Sequence, residues 1–134
     1  MNVKNSITPI DIAISGLRAQ NKSMEAISSN VANARTTNDG SGQPYRRIEA
    51  MFKANDDELG GVELDEMIKD TSDFQRVYDP GNPEADDQGY IKMPNVNLPI
   101  ELMNLSTATK AYQANAAVLK RYQKMVDTSL ELLR

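Results

Sequence analysis

The sequence predicts a mainly α chain with a small β-containing middle, in which long N- and C-terminal helices pair as a coiled-coil-like hairpin around a short β-hairpin and loop segment. Three observations carry that expectation. Towards the C-terminus, Leu102, Leu105, Thr109, Tyr112, Ala116, Leu119, Gln123, Val126, Leu130 and Leu133 recur at alternating spacings of three and four, with only Thr109 and Gln123 clearly polar. Near the N-terminus Ile10, Ala13, Leu17, Gln20, Met24, Ile27 and Val31 keep the same spacing more weakly. Between the two stripes lies a different kind of sequence, rich in Gly, Pro, Asn and Asp. The expected organisation is an N-terminal helix in 1–34, a loop and short-strand segment in 35–97, and a C-terminal helix in 98–134.

The first helix is expected to start at Thr8-Pro9, since Thr is a good N-cap and Pro is pre-organised for a first turn. It is expected to run to about Ala34. Gly16 inside it costs about 1 kcal/mol relative to Ala, and a close helix crossing would give a reason for it. Residues 35–44 are turn and loop formers in succession and stop the helix. Tyr45 to Lys53 and Val62 to Ile68, on either side of the Gly60-Gly61 break, are β-compatible and predict a hairpin. Two more β-like pieces lie between Phe74 and Met93 around Pro80-Gly81, where Gly81 permits a type II turn. Pro94 and Pro99 hold the next stretch extended, and Asn97 is the expected N-cap of the last helix. Neither Gly nor Pro interrupts the chain from Glu101 to Arg134, so that helix should reach roughly 48 Å.

Composition excludes several kinds of function. The 134 residues contain no Cys and no His, which removes disulfides, thiolate chemistry, the usual neutral-pH base and the commonest metal ligands. No catalytic residue set and no cofactor are predicted. Asp56-Asp57-Glu58 and Asp86-Asp87 are the dense carboxylate groups, but neither has the alternating ligand spacing of a calcium loop, so no metal is predicted. No apolar run approaches the ~20 residues of a membrane span, and residues 1–9 lack the apolar core of a secretory signal. Residues 51–90 carry a net charge of −9 and the rest of the chain +5. Lys120, Arg121 and Lys124 form a short basic cluster without a wider stripe or stacking aromatics beyond Tyr122, so nucleic acid is not an expected partner.

Two narrow stripes and an aromatic content of 5% do not build a broad core. A lone helical hairpin would leave Ile, Leu and Met exposed, so partner chains are expected to cover them. Ser28-Ser29-Asn30-Val31-Ala32-Asn33-Ala34 places two Asn three apart at a helix end. C-capping by Asn33 with Asn30 in solvent, and a lateral contact to another chain, are both compatible with that spacing.

Read in order, these blocks resemble the flagellar basal-body rod proteins, within the rod and hook axial family. The blocks are the first helix ending in Asn30 and Asn33, Gly42-Gln43-Pro44-Tyr45-Arg46, Tyr78-Asp79-Pro80-Gly81-Asn82-Pro83, and Ala85-Asp86 with Gly89-Tyr90. They continue with Met93-Pro94-Asn95-Val96-Asn97 before Glu101, and end with Ala111-Tyr112-Gln113-Ala114-Asn115. The first and last are shared widely among axial proteins, whereas the Pro-Gly-Asn-Pro and Met-Pro-Asn-Val-Asn pair points to the proximal rod branch. Arg35, where a small polar residue is more usual, and Leu102, where Met is, depart from the pattern.

The resemblance implies a non-enzymatic structural subunit of the periplasm-spanning rod, assembling helically with itself and other rod proteins. It implies passage through the flagellar type III export apparatus without a cleaved signal, and no direct membrane insertion. It further implies that both termini form an inner helical layer around the export channel. The positions Ile10, Leu17, Met24, Ile27, Val31, Leu102, Leu105, Tyr112, Ala116, Leu119, Val126, Leu130 and Leu133 would then be assembly contacts. The heptads alone fit a soluble cytoplasmic coiled-coil adaptor or chaperone-like protein equally well, but the central turn blocks have no evident use there.

Overall fold

The computed structural model describes residues 8–54 and 60–134. The Asp56-Asp57-Glu58 cluster and residues 1–7 lie outside the described residues. Two helices, α1 (Pro9–Ala32) and α2 (Leu98–Leu132), flank four strands: β1 (Ile48–Ala54), β2 (Val62–Lys69), β3 (Gln75–Tyr78) and β4 (Tyr90–Met93). The chain is therefore mainly helical with two β-hairpins in its middle, each an antiparallel pair, β1 with β2 and β3 with β4.

The helix ends follow from the caps. The Asp11 carboxylate accepts hydrogen bonds from the Thr8 backbone N–H at 3.1 Å and the Thr8 hydroxyl at 2.7 Å, closing the first turn behind Pro9. These bonds hold the Asp11 carboxyl below its usual pKa, the Thr8 hydroxyl contributing most. At the other end Asn33 is the C-cap, its Nδ2 donating to the Ser29 carbonyl at 2.9 Å and its Oδ1 accepting from the Thr36 hydroxyl at 3.2 Å. The helix proper stops at Ala32, two residues short of the expected end: after the Asn33 N–H on the Ser29 carbonyl, the Ala34 and Thr36 N–H groups bond three residues back, to Val31 and Asn33, rather than four. Asn97 caps α2 through Oδ1, which accepts from the Ile100 N–H at 3.3 Å.

The helices pack antiparallel. Gly16 lies opposite Asn115, Met24 opposite Thr109 and Asn30 opposite Glu101. At Gly16 a Cβ would stand 2.8 Å from Asn115 Nδ2, so a larger residue there would have to displace the Asn115 side chain. Gly16→Val is expected to destabilise the chain by about 1–3 kcal/mol through overpacking, and Asn115→Ala is expected to recover part of that. Urea unfolding of both variants and the double mutant measures the coupling.

The β1–β2 hairpin lies along α1. Its base is held at Asn30 and its tip at Ser15, whose Oγ accepts from the Val62 N–H at 3.2 Å. Fifteen residues of helix rise about 22 Å and seven residues of strand about 23 Å, so the two elements match in length. A register shift between Met51 and Phe52 absorbs one extra residue on β2.

Among the described residues, no packing connects the β3–β4 hairpin directly to either helix; it is attached through loops. Gly81 does not take a positive φ, so the turn at Asp79–Asn82 is not type II. It keeps the closing bond common to β-turns, the Asn82 N–H on the Asp79 carbonyl at 3.1 Å. The positive φ falls at Gly89 (+80°), where the chain turns back under Tyr78 and Pro80. Tyr78 and Tyr90 meet edge-to-face at 5.2 Å, and the Arg76 guanidinium lies 4.7 Å from the Tyr90 ring centre.

Candidate assembly surface and the junction that presents it

The buried apolar side chains among the described residues are Ala13, Ala19, Ala26, Ile27, Ile91, Val96 and Ala108. Four of the seven are Ala, which lets helices approach closely but removes little surface from water. On α2 the positions turned inward are Glu101, Asn104, Leu105, Ala108, Thr109, Ala111, Asn115, Ala116, Leu119 and Tyr122. That stripe sits largely one residue before the predicted heptad, so the apolar seam straddles the edge of the intramolecular contact.

The predicted seam positions divide accordingly. Ile27 is buried, and Ile10, Leu17, Met24, Val31, Leu105, Ala116 and Leu119 are half-buried. Leu102, Tyr112, Val126, Leu130 and Leu133 are exposed, the last two by 62% and 85%. Met103, Val118, Met125 and Leu132, which the heptad did not include, are exposed beside them. From Gln123 to Arg134 every residue is exposed, because the antiparallel register that sets Gly16 against Asn115 brings the start of α1 level with Tyr122, and α2 continues to Leu132, about another 15 Å. This part of α2 therefore carries an apolar stripe that no described residue covers.

The motif residues of the middle gather at one junction. Asn30 is fully buried and spends its whole amide on partners within the chain. Its Nδ2 donates to the Ile48 carbonyl at 2.8 Å and to Glu101 Oε2 at 3.0 Å, and its Oδ1 accepts from the Ile48 N–H at 2.9 Å and the Tyr45 hydroxyl at 3.0 Å. Neither sequence reading of Asn30 holds: it is not solvated, and its hydrogen-bonding groups have none left for a second chain. The amide pairs with both main-chain groups of Ile48, as a neighbouring strand would.

Glu101, 1% exposed, accepts from Arg47 Nε at 2.6 Å. Arg47 also lies 3.1 Å from Glu49 and 3.8 Å from Asp70. Burial opposes the Arg47 charge, but the hydrogen bonds of Glu101 and Glu49 outweigh it and hold its pKa above the ordinary guanidinium value. Asn95 completes the junction: its Oδ1 accepts from the Arg47 N–H at 2.8 Å, and its Nδ2 donates to the Asp70 carbonyl at 3.1 Å and to Ser72 Oγ at 3.0 Å. Arg46 donates to the Asp70 and Ser72 carbonyls at 3.0 Å each and stacks 4.2 Å from the Phe74 ring centre. The Asp70 carboxyl is held below its usual pKa, first by the Ser72 N–H.

Pro44 and Pro94 are buried beside this network, while Pro80, Gly81, Pro83 and Tyr90 lie exposed in the second hairpin with Gly89 half-buried. Asn97 and Gln113 are exposed and Asn115 is half-buried against Gly16. The motif is thus two groups: Asn30 and Tyr45 tie α1 to the start of β1, Asn95 ties the segment before α2 to the base of the first hairpin, and residues 78–90 shape the second hairpin. Asp86 organises that hairpin, accepting from the Tyr90 and Gln88 N–H groups and from Arg76, with its carboxyl held low chiefly by the Tyr90 bond.

Sequence reading did not single out Arg47 and Glu101 as partners. A partial signal existed, since Glu101 lies four residues before Leu105, a position of the predicted heptad. A carboxylate there requires a buried cation or donors. No helix among the described residues is long and apolar enough to cross a membrane.

Comparison with known proteins places both ends of the chain. Residues 10–38 match the family described as "Flagella basal body rod protein", and residues 87–132 match "Flagellar basal body rod FlgEFG protein C-terminal". The flagellar basal-body rod protein FlgC of Agrobacterium fabrum is 42% identical, over 92% of this chain and 91% of its own. Those of Salmonella typhimurium and Escherichia coli are 41% and 40% identical, each over 91% of this chain and 93% of the relative.

Proposed function

The chain belongs to the FlgC family of flagellar basal-body rod proteins, and on that premise we propose how its geometry serves the rod. It is a structural subunit of the basal-body rod, one component of a larger assembly of rod proteins. The exposed apolar stripe of α2 is the observation that carries the proposal. It gives a subunit with a small alanine core a large unpaired surface, which a coiled-coil-like seam with neighbouring axial helices would cover.

In this reading the chain takes its place in the proximal rod. The α1–α2 pair forms the inner helical layer around the export channel, and the two hairpins face outward towards adjacent subunits. Ile10, Leu17, Met24 and Val31 pack within the subunit and at its margin, whereas Leu102, Tyr112, Val126, Leu130 and Leu133 pack between subunits. The chain needs no cofactor, carries out no catalysis, and crosses the inner membrane through the flagellar type III export apparatus without a cleaved signal. A small core without disulfides favours that route, because little buried surface must be undone to thread the chain.

Quantitative mass spectrometry of hook–basal bodies, stripped with high salt and detergent, tests the reading. The chain is expected in fixed stoichiometry with the other rod proteins. Its absence there, with the protein found in the soluble cytoplasmic fraction, would overturn the rod assignment in favour of the adaptor.

A further inference from the structure

Beside the junction, a cleft of about 260 Å³ runs between β1 and α2 over a floor of α1. Gln20, Ser23 and Ala26 form the floor, Asn104, Thr107 and Ala108 one wall, and the other is the edge of β1 that pairs with no strand among the described residues. The direction of the β1 main-chain groups follows from its pairing. The Asp70 N–H donates to the Arg47 carbonyl at 2.8 Å, which makes Arg47 and Asp70 a hydrogen-bonded pair. In an antiparallel ladder the next residue turns its N–H and carbonyl to the opposite edge. Ile48 does so, and the Asn30 amide takes both groups. Ala50, opposite Met67, is the next residue of the same parity, so its N–H and carbonyl face the cleft.

We propose that this cleft takes an extended main-chain segment of a neighbouring rod subunit, added to β1 as a third strand. This rests on the chain's place in the rod. The Asn30 amide already imitates the first peptide group of such a strand, and Ala50 offers the donor and acceptor that a following peptide group needs. The side chains on the two helix sides are uncharged and mostly small, which leaves room for a backbone, and the two charged residues of the lining, Arg47 and Glu49, are paired with each other on β1 at 3.1 Å. A two-stranded hairpin is marginal alone, so a third strand also strengthens the element that receives it.

Ala50→Pro tests the edge selectively. It removes an N–H that points away from β2, and places Cδ where the incoming strand would lie, while Pro is tolerated at such an edge position. The purified variant is expected to unfold at the wild-type temperature and to be secreted normally, yet to be recovered in hook–basal bodies at about a tenth of the wild-type ratio to other rod proteins, the factor produced by losing one or two interfacial hydrogen bonds. Photo-crosslinking gives a readout independent of how that variant folds. Benzoylphenylalanine at Thr107 in assembled basal bodies is expected to yield adducts with a non-helical stretch of an adjacent subunit. Wild-type recovery of a folded Ala50→Pro chain, or adducts confined to the same chain or to a neighbour's helix, would overturn the strand proposal and leave the rod assignment standing. Absence of the wild-type chain from basal bodies would overturn both.

Discussion

Glu101→Ala is expected to lower the stability of the isolated chain by about 3 kcal/mol, near the lower end of the cost of breaking a buried ion pair from one side. Glu101 is 1% exposed and joins Arg47 to Asn30. Its removal leaves a largely buried guanidinium without its 2.6 Å partner and one Asn30 N–H without an acceptor. The loss stays at the low end because Arg47 retains Glu49 and Asp70 and one-fifth of its side chain reaches water. Glu101→Gln, which keeps the shape but only one acceptor oxygen, is expected to cost about 2 kcal/mol, because its amide NH2 must face the N–H of either Arg47 or Asn30 and leave that donor unpaired. Urea unfolding gives the two energies, and Ile48 amide exchange localises them, since Asn30 holds that N–H. Equal stability of Glu101→Ala and wild type would show that the junction does not couple α2 to the strands.

The helices and their caps were legible because they depend on local chemistry. Thr8-Pro9, Asn33 and Asn97 act within one turn of themselves, and the Pro and Gly punctuation bounds the two hairpins where the structure has them. The turn at Pro80-Gly81 was read one step too specifically: Gly permits a positive φ but does not require it, and the closing bond forms without it. What could not be read was the rotation of α2 about its own axis. A heptad marks the apolar stripe, yet the intramolecular contact is decided by Ala108, Asn115 against Gly16, and the buried Glu101, none of which is a large apolar residue. Asn30 was recognised as a residue with hydrogen bonds to make. Its partners lie 15 to 71 residues away, beyond the reach of any local pattern.

That rotation decides which substitution separates folding from assembly. Leu105 and Leu119 are half-buried against the chain itself, so Asp at either position would disturb the subunit as well as its contacts. Leu130 is 62% exposed and Val126 37%, and both lie on the part of α2 that no described residue covers. Leu130→Asp and Val126→Asp are therefore expected to leave the monomer's unfolding within about 0.5 kcal/mol of wild type, as surface substitutions usually do. In a seam between helices the same carboxylate would be stripped of water without a partner, costing several kcal/mol at each copy. Because a rod repeats the contact, incorporation is expected to fall below detection in hook–basal bodies while secretion into the medium persists. Normal motility with normal recovery of both Leu130→Asp and Val126→Asp would remove the end of α2 from the assembly surface and leave its earlier positions, from Leu102 to Leu119, as candidates.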